Sequence, residues 1–310
     1  MKIGFALVLL IIGGVFSHDH PMVGVISYPF QANPNGITSY IQGESAKFVE
    51  ASGSRNVAIP FDQVWQTSVT ALENLNGIYI QNSFFGEYSN SEVYKQTLKN
   101  AYTYTTDEND KKVVFPLWAS GISALQLCEV LSTTQNLSAF TTSIDAMDYV
   151  TKLNLKEQRY PKEKIALTGL IKDNFIKYAI DENIAYFNQN IGLTEQSLKA
   201  DNYLNKNFEI VATAKDRNGV EFVAILKSRE YPIFLSFVLF ESVYNFFPST
   251  NVPHSSHATR LTVQFSKVFV GYARENSKAF ATRELEYENN LFNLPMKTVA
   301  TKEYMTFYLP

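Results

Sequence analysis

Short apolar runs recur along the chain at Val23 to Tyr28, Val57 to Phe61, Gly77 to Ile80, Val113 to Trp118, Phe208 to Lys215, Val220 to Lys227 and Ile233 to Phe240. Runs of this length predict strands buried within a sheet. Helical spacing lies among them. From Ser39 to Ser52, residues Tyr40, Ala46, Phe48, Val49 and Ala51 form one apolar stripe, and Gly53 supplies a C-terminal stop. Ser123 to Leu131 and Arg260 to Arg274 read as two further helices. Strands alternating with helices predict an α/β fold with a doubly wound, mostly parallel sheet flanked by helices. One late pair differs. Phe208 to Lys215 and Val220 to Lys227 flank Asp216-Arg217-Asn218-Gly219, and Asn-Gly is an antiparallel turn signal. The expected sheet is therefore mixed, a doubly wound core with an antiparallel hairpin addition.

Composition narrows the picture. Of 310 residues, 45% are hydrophobic, enough to bury a sizeable core. The net charge is −3 and no basic block occurs, which excludes the clustered positive face that nucleic acids require. The mixed-sign cluster from Asp107 to Lys112 reads as a solvated loop. Lys2, the apolar run from Ile3 to Phe16 and the small residues Val15 and Ser17 read as a secretory signal peptide over residues 1–17. No later segment is apolar for long enough to span a bilayer, so no transmembrane anchor is expected once the leader is removed. No Pro/Gly/Ser-rich linker divides residues 18–310, which are expected to form a single domain. The only cysteine, Cys128, sits among Leu125, Leu127 and Val130, and reads as a packed thiol. Asn136-Leu137-Ser138 is a glycosylation sequon, with Asn136 as the acceptor. His18 and His20 form one histidine pair, and His254 and His257 another. Neither has a third ligand in view, so no metal and no cofactor are expected.

Further segments carry a resemblance. Pro21-Met22-Val23-Gly24-Val25, Tyr40 to Arg55, Leu75-Asn76-Gly77-Ile78, Phe115-Pro116-Leu117-Trp118 and Tyr231-Pro232-Ile233-Phe234 occur in that order. Pro253-His254-Ser255-Ser256, Phe269 to Arg274 and the tail from Leu285 to Pro310 follow. Together they resemble the gamma-glutamyl hydrolase family (peptidase family C26) over nearly the whole chain. The resemblance implies the class I glutamine amidotransferase-like (flavodoxin-like) fold. It also implies cleavage of gamma-linked glutamates from folate polyglutamates, and a lysosomal, vacuolar or extracellular location reached by the secretory route. A homodimer is possible by the same resemblance. Family catalysis uses a Cys nucleophile, a His base and an acidic third member. The thiolate attacks the amide carbon, His carries the proton, and backbone N–H groups hold the oxyanion.

Carried over residue by residue, the motif fails at several points. The nucleophile falls on Gly121, within Ala119-Ser120-Gly121-Ile122-Ser123, and the base on Leu239. Only the acid, Glu241, is retained, and without its histidine it reads as a hydrogen-bonded surface or rim residue. Gln81-Asn82-Ser83 replaces the family's Pro-Gly-Gly, which alters the backbone that presents oxyanion donors beside Ile122. A substrate-side histidine falls on Asn188. Loss of one triad member commonly lowers turnover on the order of 10⁴- to 10⁶-fold. The expectation is a pseudoenzyme with an unidentified protein or small-molecule partner, its apolar Phe237-Val238-Leu239-Phe240 packed over the empty site. At the elbow, Gly121 is expected to adopt positive φ, and a cysteine there to fit with slight loss of stability. The alternative is a hydrolase with a displaced serine nucleophile, Ser120 or Ser123.

Overall fold

The computed structural model describes residues 19–30, 38–62, 72–83, 88–156, 166–171, 173–244, 251–293 and 306–309. The leader expected at residues 1–17 lies outside them. The strands are β1 (Met22–Ile26), β2 (Tyr28–Pro29), β3 (Ser39–Gln42), β4 (Arg55–Ile59), β5 (Gly77–Ile80), β6 (Leu117–Ser120), β7 (Thr141–Thr151), β8 (Asn154–Leu155), β9 (Ala185–Leu193), β10 (Phe208–Lys215), β11 (Glu221–Ser228), β12 (Ile233–Ser236) and β13 (Thr306–Leu309). The longer helices are α1 (Gly43–Glu50), α2 (Glu92–Asp110), α3 (Gly121–Leu131), α4 (Asp173–Asp181) and α5 (Ser256–Arg274).

The main sheet has eight strands in the order β4-β1-β5-β6-β12-β11-β10-β8. Pairing is parallel from β4 to β12. It turns antiparallel from β12 through β11 and β10 to β8. This is the expected mixed sheet, and Gly219 closes the β10–β11 turn with φ +82°. Two helix pairs flank it, α2 with α3 and α1 with α5. The core between the sheet and the second pair is aromatic. Trp118 has Phe48 at 5.5 Å, Phe269 at 6.1 Å, Phe265 at 6.2 Å and Phe240 at 6.5 Å between ring centroids. Offset aromatic pairs at such spacings add to the stabilisation from burial alone.

Several boundaries differ from the sequence expectation. The stripe from Ser39 to Ser52 divides into strand β3 and helix α1. Gln81 causes the division: its Oε1 accepts from the Gln42 N–H at 2.7 Å, and its Nε2 donates to the Tyr40 carbonyl at 2.6 Å. β13 pairs on one edge of β3 and β2 on the other, and the Gln81 side chain adds its bonds to Tyr40 and Gln42. The run from Val113 begins as irregular chain, since Pro116 has no N–H to give a ladder. There Asn109 holds Phe115 through both its amide atoms, at 2.8 and 3.3 Å. The run from Ile233 leaves the sheet after Ser236, whose Oγ donates to the Val238 carbonyl at 2.7 Å. The cluster from Asp107 to Lys112 is the end of α2 and the turn after it, not a loop, and Glu108 within it is buried against Lys111 and Lys278. Helices α2 and α4 and the two-stranded sheet β7–β9 had no sequence expectation.

Candidate functional site

The site forms where β6 gives way to α3. Ser120 ends the strand in extended conformation, Gly121 turns with φ +56°, and the helix begins at once. A side chain at such an elbow stands clear of both elements, and glycine enters positive φ without a Cβ clash. The expected conformation at Gly121 is present.

The space around it is taken. A Cβ placed on Gly121 would overlap the Asn82 side-chain amide and come within 2.6 Å of Leu239 Cδ2. Asn82 follows β5 in the segment Gln81-Asn82-Ser83. Its Oδ1 accepts the Ile122 backbone N–H at 2.8 Å, and its Nδ2 donates to the Ser83 carbonyl at 2.7 Å. The Gln42 side chain donates to the Asn82 carbonyl at 3.3 Å. Asn82 is therefore fixed at both ends, with its carbonyl oxygen on the first helical N–H after the elbow. The expectation that a cysteine would fit at position 121 is corrected by this contact.

Leu239 closes the other side. Its N–H donates to the Tyr186 carbonyl at 2.9 Å, and its side chain packs with Tyr186, Val252 and Val150. Phe237, Val238 and Phe240 are equally buried, and Phe240 stacks on Phe265 at 4.1 Å. The apolar segment is core packing, as expected. Asn188 lies two residues beyond Tyr186 on β9, and its Oδ1 accepts the Asp148 N–H at 3.2 Å. That bond supports the positive φ of Asp148 in the irregular part of β7.

Glu241 departs from the sequence reading. It is not a rim residue but only 1% exposed. Ser120 Oγ donates to its Oε1 at 2.5 Å. Burial raises the Glu241 carboxyl to about 7, against the lowering effect of Ser120, its own backbone and Tyr79. Glu44 at the start of α1 is raised to about 8, first by burial and then by Glu241, with Lys47 opposing. The Glu241 carboxylate thus disfavours ionisation of Glu44. The remaining serine, Ser123, is buried with its Oγ 2.9 Å from the Tyr94 hydroxyl. Neither Ser120 nor Ser123 has a histidine against it among the described bonds. His254 Nδ1 meets the Val243 carbonyl at 3.1 Å, and His257 Nδ1 meets Glu182 at 2.7 Å. Among the described residues no group of three or more His, Cys, Asp or Glu could hold a metal ion.

No protein-family model matches the sequence. Curated proteins do. Gamma-glutamyl hydrolase B of Dictyostelium discoideum is 26% identical over 284 residues, covering 89% of this chain and 78% of that protein. Gamma-glutamyl hydrolase of Glycine max is 26% identical over 270 residues, covering 83% and 74%. That of Rattus norvegicus is 22% identical over 292 residues, covering 93% and 89%. The chain is similar to gamma-glutamyl hydrolases over most of its length.

Within a gamma-glutamyl hydrolase frame the elbow, its helix and the neighbouring strand end occupy one place in the fold. Gly121, Ile122, Asn82 and Leu239 meet there, and Ser120 and Glu241 meet just beneath. Asn188 bonds to Asp148 instead. Two relationships were missed from sequence. Asn82 was read as a change of backbone path, although an amide in place of glycine also brings its own acceptor. The Ser120–Glu241 bond joins residues 121 positions apart, and no local signal announces it.

Proposed function

We propose that this chain is a gamma-glutamyl hydrolase relative that has lost hydrolysis and acts as a binding or structural protein in the lumen of the secretory route. The Asn82–Ile122 bond carries the reading. Acyl transfer to a nucleophile at the elbow needs an attacking atom and a free N–H for the developing oxyanion. Position 121 supplies no attacking atom. The N–H of Ile122 is held by a neutral carbonyl that is part of the protein. Leu239 can neither accept nor return a proton. Glu241 keeps the acidic position, yet its partner is a serine hydroxyl under the sheet.

One observation favours a second reading. Ser120 Oγ sits 2.5 Å from a carboxyl whose affinity for protons is raised toward neutrality, the arrangement of a nucleophile with a general base. Against it, Ser120 is fully buried and its hydroxyl points away from solvent toward Glu241. A single assay separates the readings. The purified protein is incubated with a folate poly-gamma-glutamate and products are followed by mass spectrometry, with Ser120→Ala alongside. No product from either protein supports the pseudoenzyme. Product that disappears with Ser120→Ala overturns it.

A further inference from the structure

Tyr287 lies in a short helix, Arg283–Glu288, near the β4 edge of the main sheet. It is 69% exposed, more than any other large hydrophobic side chain among the described residues. Its hydroxyl makes no hydrogen bond among those residues. Tyr203, the next tyrosine in exposure at 36%, differs in this respect, because its hydroxyl donates to that of Tyr102 at 3.3 Å. The backbone that carries Tyr287 is anchored. Glu286 pairs with Arg55 on β4 at 2.5 Å, and Asn290 bridges to Val57. The Tyr287 carbonyl accepts from the Asn290 N–H at 3.1 Å and from the Asn293 side-chain amide. The segment is thus tied down by its neighbours, and the phenol is left in solvent.

The charges around the phenol are of one kind on both sides. Glu286 precedes it and Glu288 follows it, with Glu284 one helical turn earlier. Glu286 is partly neutralised by Arg55. Glu284 and Glu288 are exposed and have no ion-pair partner among the described residues. An enzyme that transfers an anionic group from an anionic nucleotide donor must hold that donor in a cationic site. The field of such a site also attracts an acceptor flanked by carboxylates. The product side is provided for as well. Added negative charge is unfavourable near a helix C-terminus, but Arg283 lies four residues before Tyr287, the spacing at which helical side chains meet. Arg283 is exposed and without an ion-pair partner among the described residues.

We propose that Tyr287 is a sulfation site, modified on its phenolic oxygen by a lumenal sulfotransferase that recognises Glu284 and Glu288. In the transfer, the phenolic oxygen attacks the sulfur of a nucleotide phosphosulfate, the donor that the transferase binds. The new O–S bond forms as the S–O bond to the phosphate breaks. The phosphate leaves with the electron pair, and the phenol gives its proton to the transferase's base. The sulfate ester carries a fixed negative charge, which Arg283 faces from one turn away. The inference rests on entry into the secretory lumen, where such donors and transferases act on exported chains. It does not depend on whether the elbow site turns over a substrate.

The test has two arms. In the first, the purified folded protein is incubated with a tyrosine sulfotransferase and a nucleotide phosphosulfate, and peptides are read by mass spectrometry. Tyr287 should gain one sulfate, Tyr203 should stay bare, and Tyr287→Phe should gain none. Glu284→Gln/Glu288→Gln should lower the rate of transfer about tenfold. Absence of transfer to Tyr287 overturns the site whatever the route of the chain. A rate that the double variant leaves unchanged overturns recognition through the two carboxylates. In the second arm, the full chain with its own leader is expressed in an animal secretory host. The secreted protein should carry on Tyr287 a group that is labile in acid and resistant to phosphatase. Loss of the group to phosphatase, or a secreted chain with bare Tyr287, overturns the modification alone. A chain that stays outside the lumen overturns the secretory reading and the modification with it.

Discussion

Asn82 Oδ1 lies 2.8 Å from the backbone nitrogen of Ile122, and the same amide fills the volume a side chain on Gly121 would need. One residue thus covers two components of acyl-transfer chemistry, the donor and the room for the attacking atom. It also stabilises the protein. The exposed first N–H groups of a helix lack internal partners, and Asn82 satisfies one of those in α3.

That coupling gives a stability prediction. Gly121→Cys places a side chain at φ +56° and against Asn82. Strained φ and overpacking each cost about 1–3 kcal/mol, so the single variant should unfold clearly earlier in denaturant. In Asn82→Gly the steric conflict is gone but the helix loses its acceptor. The double variant should then recover part of the loss, giving a favourable coupling energy above about 0.5 kcal/mol. Strict additivity in the cycle would show that Asn82 does not occupy the space.

Cys128 offers a simpler check. It is fully buried, and burial followed by the nearby Asp201 raises its thiol to about 12. The thiolate is the reactive species. The native protein should therefore leave an aromatic disulfide reagent essentially unreacted at pH 8, and react stoichiometrically once unfolded. Rapid labelling of folded protein would place this thiol near solvent instead.

The strand cores were legible because continuous apolar runs leave little choice of environment, as in β1 with all five residues buried. The turn at Gly219 and the conformation of Gly121 were legible because few residues other than glycine enter positive φ freely. Helix α2 was not. Its buried face is built largely from Tyr94, Thr97, Ala101, Tyr102 and Thr105, residues that carry little apolar contrast. The break between β3 and α1 depends on Gln81, about forty residues away in the chain, and no local pattern contains it. The site divided likewise. Missing side chains at 121 and 239 can be read directly from a sequence, whereas the partner a replacement finds, as Asn82 does in Ile122, exists only once the fold brings them together.

On the proposed reading, placing a cysteine at 121 and a histidine at 239 should not by itself produce hydrolysis. The Gly121→Cys/Leu239→His variant regains a nucleophile and a base in name, but Asn82 still holds the Ile122 N–H. Adding Asn82→Gly frees that donor. A single oxyanion donor is worth about 10²- to 10³-fold in turnover. The triple variant should therefore exceed the double variant by at least about tenfold in release of glutamate from a folate poly-gamma-glutamate. Equal rates, with both variants shown folded by circular dichroism, would remove Asn82 from the proposed reading.

The buried carboxyl groups set a pH dependence of definite sign. Glu241 is raised to about 7, Glu44 to about 8 and Glu50 to about 7, burial being the first cause in each. In the unfolded chain these groups titrate near their ordinary value of 4.5. Between about pH 4.5 and 8 the unfolded chain has released protons that the folded chain still holds, so stability falls as pH rises. The contribution is complete below pH 4.5 and lost as pH passes the folded values. Carboxyls shifted downward, such as Glu195 by Lys199 and Glu221 by Thr213, act in the opposite sense but only below the ordinary range. They leave the window above pH 5 uncontested. Melting temperature should accordingly be higher at pH 5 than at pH 8. Glu241 is the deepest of the three, and a displacement of that size corresponds to on the order of 3 kcal/mol across the window. Glu241→Gln cannot ionise, keeps the acceptor for Ser120, and should flatten the profile between pH 5 and 7 while Glu44 sustains a residual slope toward pH 8. A profile that rises toward neutral pH, or one that Glu241→Gln leaves unchanged, would mean that the Glu241 carboxyl is ionised in the folded protein.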